Sequence, residues 1–398
     1  MAWSQESFGV RSASCTQLVG PDPSLAERKY LVSHLTEIQL LQKNLETDTR
    51  RNLMKKFRFA ILGAGHIARQ FCDAVSRIDG CEVCAVASKS LERAENFAKE
   101  NGVENYYDDY EMLLEKERPD CAYIAVTPND HYRLSVLCVN HNVPVLCEKA
   151  MFQNSEEAKN LYTLASEKKI FIMEALWSRY LPAVQQAKRW VEQEKIGTPT
   201  VLQCNIGFVA PDDKENRYFN QKLGGGAAKD ITVYAYEITT FILNQAIKNI
   251  SVSATWSDTG VDVTDHVAIC FEDTFADLLT SFVAQLEEQM VIYGRFGKIV
   301  LPHPHYASEA YLYGNDGELK EHFVDQETKN GFTYEIQDAI RCIQAGKLES
   351  DIVPWKDTLA CAKLFDKINA SCDEKALKTI EDIEAEPEET RAEFDCTD

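Results

Sequence analysis

The sequence predicts an α/β protein in which an N-terminal doubly wound parallel sheet is joined to an α+β domain with a large, mostly antiparallel open sheet. Three observations predict it. Residues 57–71, FRFAILGAGHIARQF, run from an apolar stretch of strand length into a glycine turn and then a helical pattern. From there to about residue 175, strands alternate with helices, the arrangement that builds a parallel sheet. After about residue 195, short apolar runs follow one another across polar turns, which most simply pair antiparallel.

The first strand and turn carry the strongest signal. Gly63 permits the tight turn, Gly65 lets the main chain approach a pyrophosphate, and Ala68 is small enough for close helix–strand packing. The helix opening at His66 and Ile67 offers free N–H groups and a partial positive charge to phosphates. The second strand, CEVCAVAS at 81–88, ends at Ser88, where an NAD site would place a carboxylate on the adenosine ribose. No acidic residue follows until Glu92, while Lys89, Ser90 and Arg93 supply two cations and a hydroxyl. That set suits a 2′-phosphate, so NADP rather than NAD is the expected cofactor.

A short NYY strand, CAYIAVTP (121–128), PVLCEK (144–149) and IFIMEA (170–175) continue the parallel sheet, with helical patterns between them. Ligands of wound sheets lie beyond the carboxyl ends of the strands. Thr127, Pro128, Asn129, Glu148 and Lys149 are therefore expected at the rim where a nicotinamide would lie. The runs TVLQCNIGFV, NISVSATWS, DHVAICFED, ADLLTSFVAQ and EQMVIYGRFG build the second sheet. Two helices, FTYEIQDAIRCIQAG and TLACAKLFDKINAS, are expected to close that second domain.

The resulting division is an N-terminal extension at 1–53, a dinucleotide-binding domain at 54–175, a substrate-binding and dimerisation domain at 176–372, and an acidic tail at 373–398. The extension holds a Ser-rich stretch followed by a polar segment of helical periodicity, and the tail has the composition of a solvated end. A formal net charge of -21 argues against a nucleic-acid partner. No apolar run has membrane-spanning length, and the first residues lack the apolar core of a signal peptide. Thirteen Cys in 398 residues, mostly within apolar runs, read as reduced thiols of a cytoplasmic enzyme. Cys81 and Cys84 form a lone C-x-x-C pair, and His303 and His305 lie in a proline-bounded turn, so no metal is expected.

The strings GAGHIA, TPNDHY, CEKA at 147–150, EALWSRYLP at 174–182 and LGGGAAKDITVY at 223–234, in this order and spacing, are those of a known family. From 57 to about 370 the chain resembles the glucose-fructose oxidoreductase, inositol dehydrogenase and MocA superfamily, most closely its dimeric dihydrodiol dehydrogenase-like branch. The resemblance implies that Lys149 takes the place of the lysine of the family's EKP motif, and Asp230 and Tyr234 those of an aspartate and a general acid or base. In this reading the Lys149 ammonium favours the Tyr234 phenolate and brings a pKa near 10 toward working pH. Asp230 and Tyr234 stand at i and i+4, on one face if helical, and Gly224, Gly225 and Gly226 would let the backbone approach a ligand. His131, in TPNDHY, joins the candidate cofactor contacts, and Trp177 and Arg179 the candidate substrate contacts. Two departures bear on pocket shape: Ala150 replaces the usual proline after the lysine, and Thr232 replaces a glycine.

The function expected is hydride transfer between NADP and a secondary alcohol or ketone of a sugar, cyclitol or vicinal diol, in a homodimer formed through the second sheet. A nucleotide-binding regulator without turnover and a cofactor-retaining glycoside hydrolase are the alternatives.

Overall fold

The computed structural model describes residues 56–373; the helical stretch before residue 54 and the acidic tail beyond residue 373 lie outside the described residues. Six parallel strands, β1 (Phe57–Leu62), β2 (Cys81–Ala87), β3 (Asn105–Tyr107), β4 (Cys121–Ile124), β5 (Val145–Glu148) and β6 (Ile172–Ala175), lie in the order β3-β2-β1-β4-β5-β6. The order reverses between β1 and β4, and a crevice opens there beyond the strand ends. β4, β5 and β6 are buried along their whole length because helices cover both faces, which is why they read as continuous apolar runs.

Helices α1 (His66–Ser76), α2 (Leu91–Asn101), α3 (Tyr110–Glu117), α4 (Pro128–Asn140) and α5 (Ser155–Lys168) join these strands. Helix α1 buries Ala68, Phe71 and Val75, and Phe71 stacks on Tyr123 of β4 with ring centroids 3.6 Å apart. Each such side chain contributes about 1.5–3 kcal/mol by leaving water, and together they fix the helix start over the strand end. The caps divide by position. Ser90, Asp109 and Asn154 cap α2, α3 and α5 through their side chains. Gly65 and Thr127, which precede α1 and α4, make no such bond. The two helices that begin at the crevice thus keep free N–H groups for a ligand.

The second sheet has eight strands: β7 (Pro199–Gly207), β8 (Ile247–Trp256), β9 (Asp262–Phe271), β10 (Phe275–Ser281), β11 (Gln289–Gly294), β12 (Gly297–Pro302), β13 (Glu309–Gly314) and β14 (Leu319–Val324). Their order is β14-β13-β12-β11-β7-β10-β9-β8, antiparallel except for the β7–β10 pair. Burial alternates along β9, with one face turned to the helices and the other open. Helices α6 (Pro182–Glu192) and α7 (Val233–Leu243) lie against the inner face, α6 on β12 and β13 and α7 on β7 and β10. A single π-helical turn, Ala228–Thr232, leads into α7. Turns of this kind recur at functional sites.

The last two helices link the two domains. α8 (Phe332–Gln344) packs on α1, where Asn330 just before it donates to the Gln70 carbonyl oxygen at 2.9 Å and to Asp73 at 2.8 Å. α9 (Trp355–Asp373) packs on α5, with Trp355 stacked on Tyr162 and its indole N–H donating to the Ile172 carbonyl at 2.9 Å. α9 also packs on β8 of the second sheet and on α7, so the two helices pack on second-domain elements and on helices of the first sheet alike.

Candidate active site

The crevice is a cavity of about 350 Å³ whose wall includes His66, Ile67, Thr127, Pro128, Glu148 and Lys149 from the first sheet's strand ends. Arg217, Tyr218, Gly224–Gly226, Lys229, Asp230 and Tyr234 close it from the other side. Gly63 holds the turn with φ 117°, and a Cβ there would meet the Ala125 carbonyl oxygen at 2.5 Å, so only glycine fits. Gly65 differs: its Cβ position has nothing closer than 3.9 Å, leaving room for a ligand against its backbone. With the uncapped starts of α1 and α4, these residues suit a dinucleotide pyrophosphate.

Lys149 follows β5, and the peptide it makes with Ala150 is cis although no proline is present. Its ammonium donates to the Asp230 carbonyl at 2.7 Å and to Asp230 Oδ1 at 3.1 Å, and it lies 4.7 Å from the centre of the Tyr234 ring. Asp230 Oδ1 also accepts from Arg217 at 3.1 Å. Burial opposes ionisation of Asp230, but the Lys149 and Arg217 charges overcome it and hold its pKa below the usual carboxylate value. The Trp177 indole N–H donates to the Tyr234 hydroxyl oxygen at 3.0 Å, which leaves the phenol hydrogen free for another acceptor.

The surroundings of Tyr234 do not favour the phenolate that the resemblance implied beside Lys149. Burial, then the nearby Glu148 charge, raises its pKa well above 10, and the ammonium over the ring face does not offset this. The geometry therefore supplies a neutral phenol placed to give a proton. The Glu148 carboxylate accepts from the Tyr123 hydroxyl and is pushed up to about 7 by burial. Glu335 of α8 is fully buried with no hydrogen-bond partner for either carboxyl oxygen among the described residues, and burial, then Glu148, raises its pKa well above the ordinary carboxylate value. His305 sets its ring 5.4 Å from that of Tyr234, and burial lowers its pKa to about 4.

Matches to two models cover most of the described chain: an oxidoreductase family, NAD-binding Rossmann fold, at residues 57–175, and a GFO/IDH/MocA C-terminal domain at residues 184–300. The chain belongs to the Gfo/Idh/MocA family of oxidoreductases. It is 28% identical over 322 residues to trans-1,2-dihydrobenzene-1,2-diol dehydrogenase of Danio rerio, covering 78% of this chain and 95% of the relative. The enzyme of the same name in Mus musculus is 28% identical over 318 residues, covering 78% and 95%. An aldose-aldose oxidoreductase from Caulobacter crescentus, solved with glycerol, superposes with TM-score 0.73 at 17% identity, covering 80% of this chain and 98% of that one. The protein is accordingly an NAD(P)-binding dehydrogenase or reductase acting on CH–OH groups, of the dihydrodiol dehydrogenase-like branch.

In this Gfo/Idh/MocA enzyme several residues singled out from sequence take other positions. Arg179 does not reach the cleft: it is completely buried, paired with Glu237 and, at 2.7 Å, with Asp357. Trp177 stacks on Phe332 at 5.3 Å and spends its N–H on Tyr234, so it positions the phenol instead of offering an open face to substrate. His131 is buried beneath the rim, bridging the Ala150 and Val126 carbonyls at 2.9 and 3.0 Å. Gly226 is crowded by protein, since a Cβ would lie 2.3 Å from Asp262. Thr232 points into the core, bonded to Asp265 and Thr280, and does not narrow the cavity.

Ser88 is buried beside the glycine turn, because Gly63 donates to the carbonyl of Ala87 next to it. Lys89 and Arg93 are exposed there; Lys89 pairs at 2.6 Å with Asp130 of α4, which also holds Arg133 at 3.2 Å. Asn129 is exposed on the first turn of α4 and accepts from Thr127 at 2.6 Å. Arg217 and Glu335 were not indicated by any motif; Lys229 lay inside the LGGGAAKDITVY string without a role assigned to it, and His305 was weighed only as a metal ligand. Arg217 alone had a local signal, a cation in the long polar loop that leads into the glycines.

Glu148 gives the site a pH signature. Its folded pKa of about 7 exceeds the ordinary carboxylate value, so the folded state binds more protons than the unfolded one between roughly pH 4.3 and 7. Its contribution to stability is complete below that window and is lost as pH rises through it. A Glu148→Gln variant should therefore gain stability relative to the natural protein as pH rises from 5 to 7. Parallel denaturation curves at both pH values would refute this.

Proposed function

We propose that this enzyme is an NADP-dependent oxidoreductase of polyhydroxylated secondary alcohols, working on a sugar, cyclitol or vicinal diol. The observation that carries the reading is that Lys149, Asp230 and a Trp177-held Tyr234 meet across one crevice that is also lined by His66 and Ile67 at the start of α1. Residues 54–175 hold the cofactor in this reading, and residues 176–372 supply the substrate wall.

The bound nicotinamide supplies the hydride acceptor or donor. Tyr234 gives its proton to the carbonyl oxygen in reduction and recovers it from the hydroxyl in oxidation. Lys149, held by Asp230, has one N–H left to orient the reacting oxygen. Lys89 and Arg93, joined by Arg133, favour a 2′-phosphate at the end of β2. The NADP-bound 3-ketoreductase KijD10 of Actinomadura kijaniata has the same fold, with TM-score 0.72 and 21% identity over 79% of this chain and 98% of that one.

Screening sugars, inositols and diols with NADP and NAD at 340 nm tests the reading. Turnover with NADP, lost in Lys149→Met while NADPH still binds, is the expected result. Full turnover in that variant, preference for NAD, or release of free sugar from a glycoside without net NADPH would each count against it.

The open face of the second sheet suits a second copy of the chain. Val201, Phe275, Leu279 and Tyr293 lie on adjacent strands in register, and Val201 and Phe275 are exposed. Sedimentation equilibrium should show a dimer that Phe275→Asp weakens; a monomer at micromolar concentration would end this proposal. The free thiols of the described residues suit a reducing compartment, and we place the enzyme in the cytoplasm. Among the described residues no helix is long and apolar enough to cross a membrane.

A further inference from the structure

Resting on the oxidoreductase reading, a finer property follows from the charges of the cleft wall. Three cations, Lys149, Arg217 and Lys229, line one cavity. One carboxylate, Asp230, serves two of them at 3.1 Å each. The remaining carboxyl of the wall, Glu148, already accepts from Tyr123 and sits in a buried position that disfavours its charge. Lys229 has a single long bond, 3.4 Å, to the Gly225 carbonyl, and no ion pair within 4.0 Å joins it among the described residues. The carboxylates that act on it, against burial that disfavours its charge, are engaged elsewhere: Asp262 takes the Ala228 N–H at 2.5 Å, Glu157 the Gln153 N–H at 2.8 Å and Asp265 the Thr232 hydroxyl at 2.7 Å.

The two under-satisfied cations are neighbours. Gly225 packs against the backbone of Arg217 and Tyr218, with its Cβ position 2.9 Å from the Arg217 carbonyl oxygen, and the same residue accepts from Lys229. Arg217 stacks over the Tyr218 ring at 4.2 Å and bonds the Tyr218 hydroxyl at 2.9 Å, which holds its guanidinium at the cleft. A planar fork and an ammonium that line one cavity suit an anion, in a chain whose overall charge is strongly negative. The cavity of about 350 Å³ must also take the nicotinamide end of the cofactor, which leaves room for one small ring or a short chain.

We propose that the substrate is an anionic polyol, a monosaccharide-sized polyhydroxy carboxylate whose acid group is held by Arg217 and Lys229 while its secondary alcohol faces Lys149 and Tyr234.

The test compares kcat/KM with NADP for matched pairs, glucose with glucuronate and galactose with galacturonate, in the full chain. The uronate should lead by roughly 10- to 100-fold, the range of a charge-assisted hydrogen bond. The acid-over-neutral ratio should fall toward one in Arg217→Ala and in Lys229→Met, and recover in part in Arg217→Lys. NADPH affinity, read by fluorescence titration, shows that each variant is folded and separates a substrate effect from a cofactor effect. Turnover of neutral sugars equal to or above that of the acids overturns the inference and leaves the oxidoreductase reading intact. A higher rate on glucose 6-phosphate than on glucuronate overturns the carboxylate assignment, as does an Arg217→Ala effect confined to NADPH affinity. Absence of turnover on both classes, with NADPH bound, defeats the parent reading and this one together.

Discussion

Tyr234→Phe should lower kcat for carbonyl reduction by about 10²–10⁴-fold while NADPH affinity changes little, because it removes the proton donor of the proposed mechanism and nothing that touches the glycine turn. The phenol is buried beside Glu148, so its pKa lies well above 10 and its hydrogen stays in place across the working range. Reduction by the natural enzyme should accordingly show no alkaline loss from tyrosine ionisation up to about pH 9. A phenolate activated by Lys149 would instead cut the reduction rate from near neutrality upward. Stopped-flow rates of NADPH oxidation over this range distinguish the two, and a Tyr234→Phe enzyme with near-normal kcat would remove tyrosine from the mechanism altogether.

Arg179→Met should act on stability. The guanidinium lies completely buried between Glu237 and Asp357, and Glu237 is pushed up to about 7 by burial despite that partner. Removing the cation strands a buried carboxyl, a change that costs about 3–5 kcal/mol. For a unit of this size the melting temperature should fall by about 10 °C. Adding Glu237→Met should restore most of the loss, since both charges are then gone. If Arg179 bound substrate, the single variant would keep its melting temperature and raise KM, which is the outcome that would reverse this assignment.

These two residues show where the sequence stops being informative. Tyr234 was nominated by its motif, yet its pKa is set by burial and by Glu148, far earlier in the chain. Arg179 sits in the recognisable EALWSRYLP string, but its partner Asp357 lies 178 residues away. His131 likewise had the right loop and the wrong direction, since its ring reaches back to the Ala150 carbonyl. Lys149 was legible because it ends a parallel strand, and strand ends of a wound sheet are where ligands lie. Arg217 and Lys229 carry no periodicity or turn chemistry that marks them, and only the shared wall makes them a pair.

What the chain order determined by itself is local: the glycine turn, the alternation of buried strands and helices, and the placing of Lys149 at a strand end. Those follow from backbone geometry and the burial of neighbouring residues, which short stretches encode. The tertiary structure alone decided that α8 and α9 reach helices of the first sheet, that Glu335 is sealed without a hydrogen-bond partner among the described residues, and that burial raises the phenol's pKa. Each of these depends on loss of water and on charges brought together from distant segments. Desolvation and Coulomb energy are set by proximity in space, which no reading of order along the chain supplies.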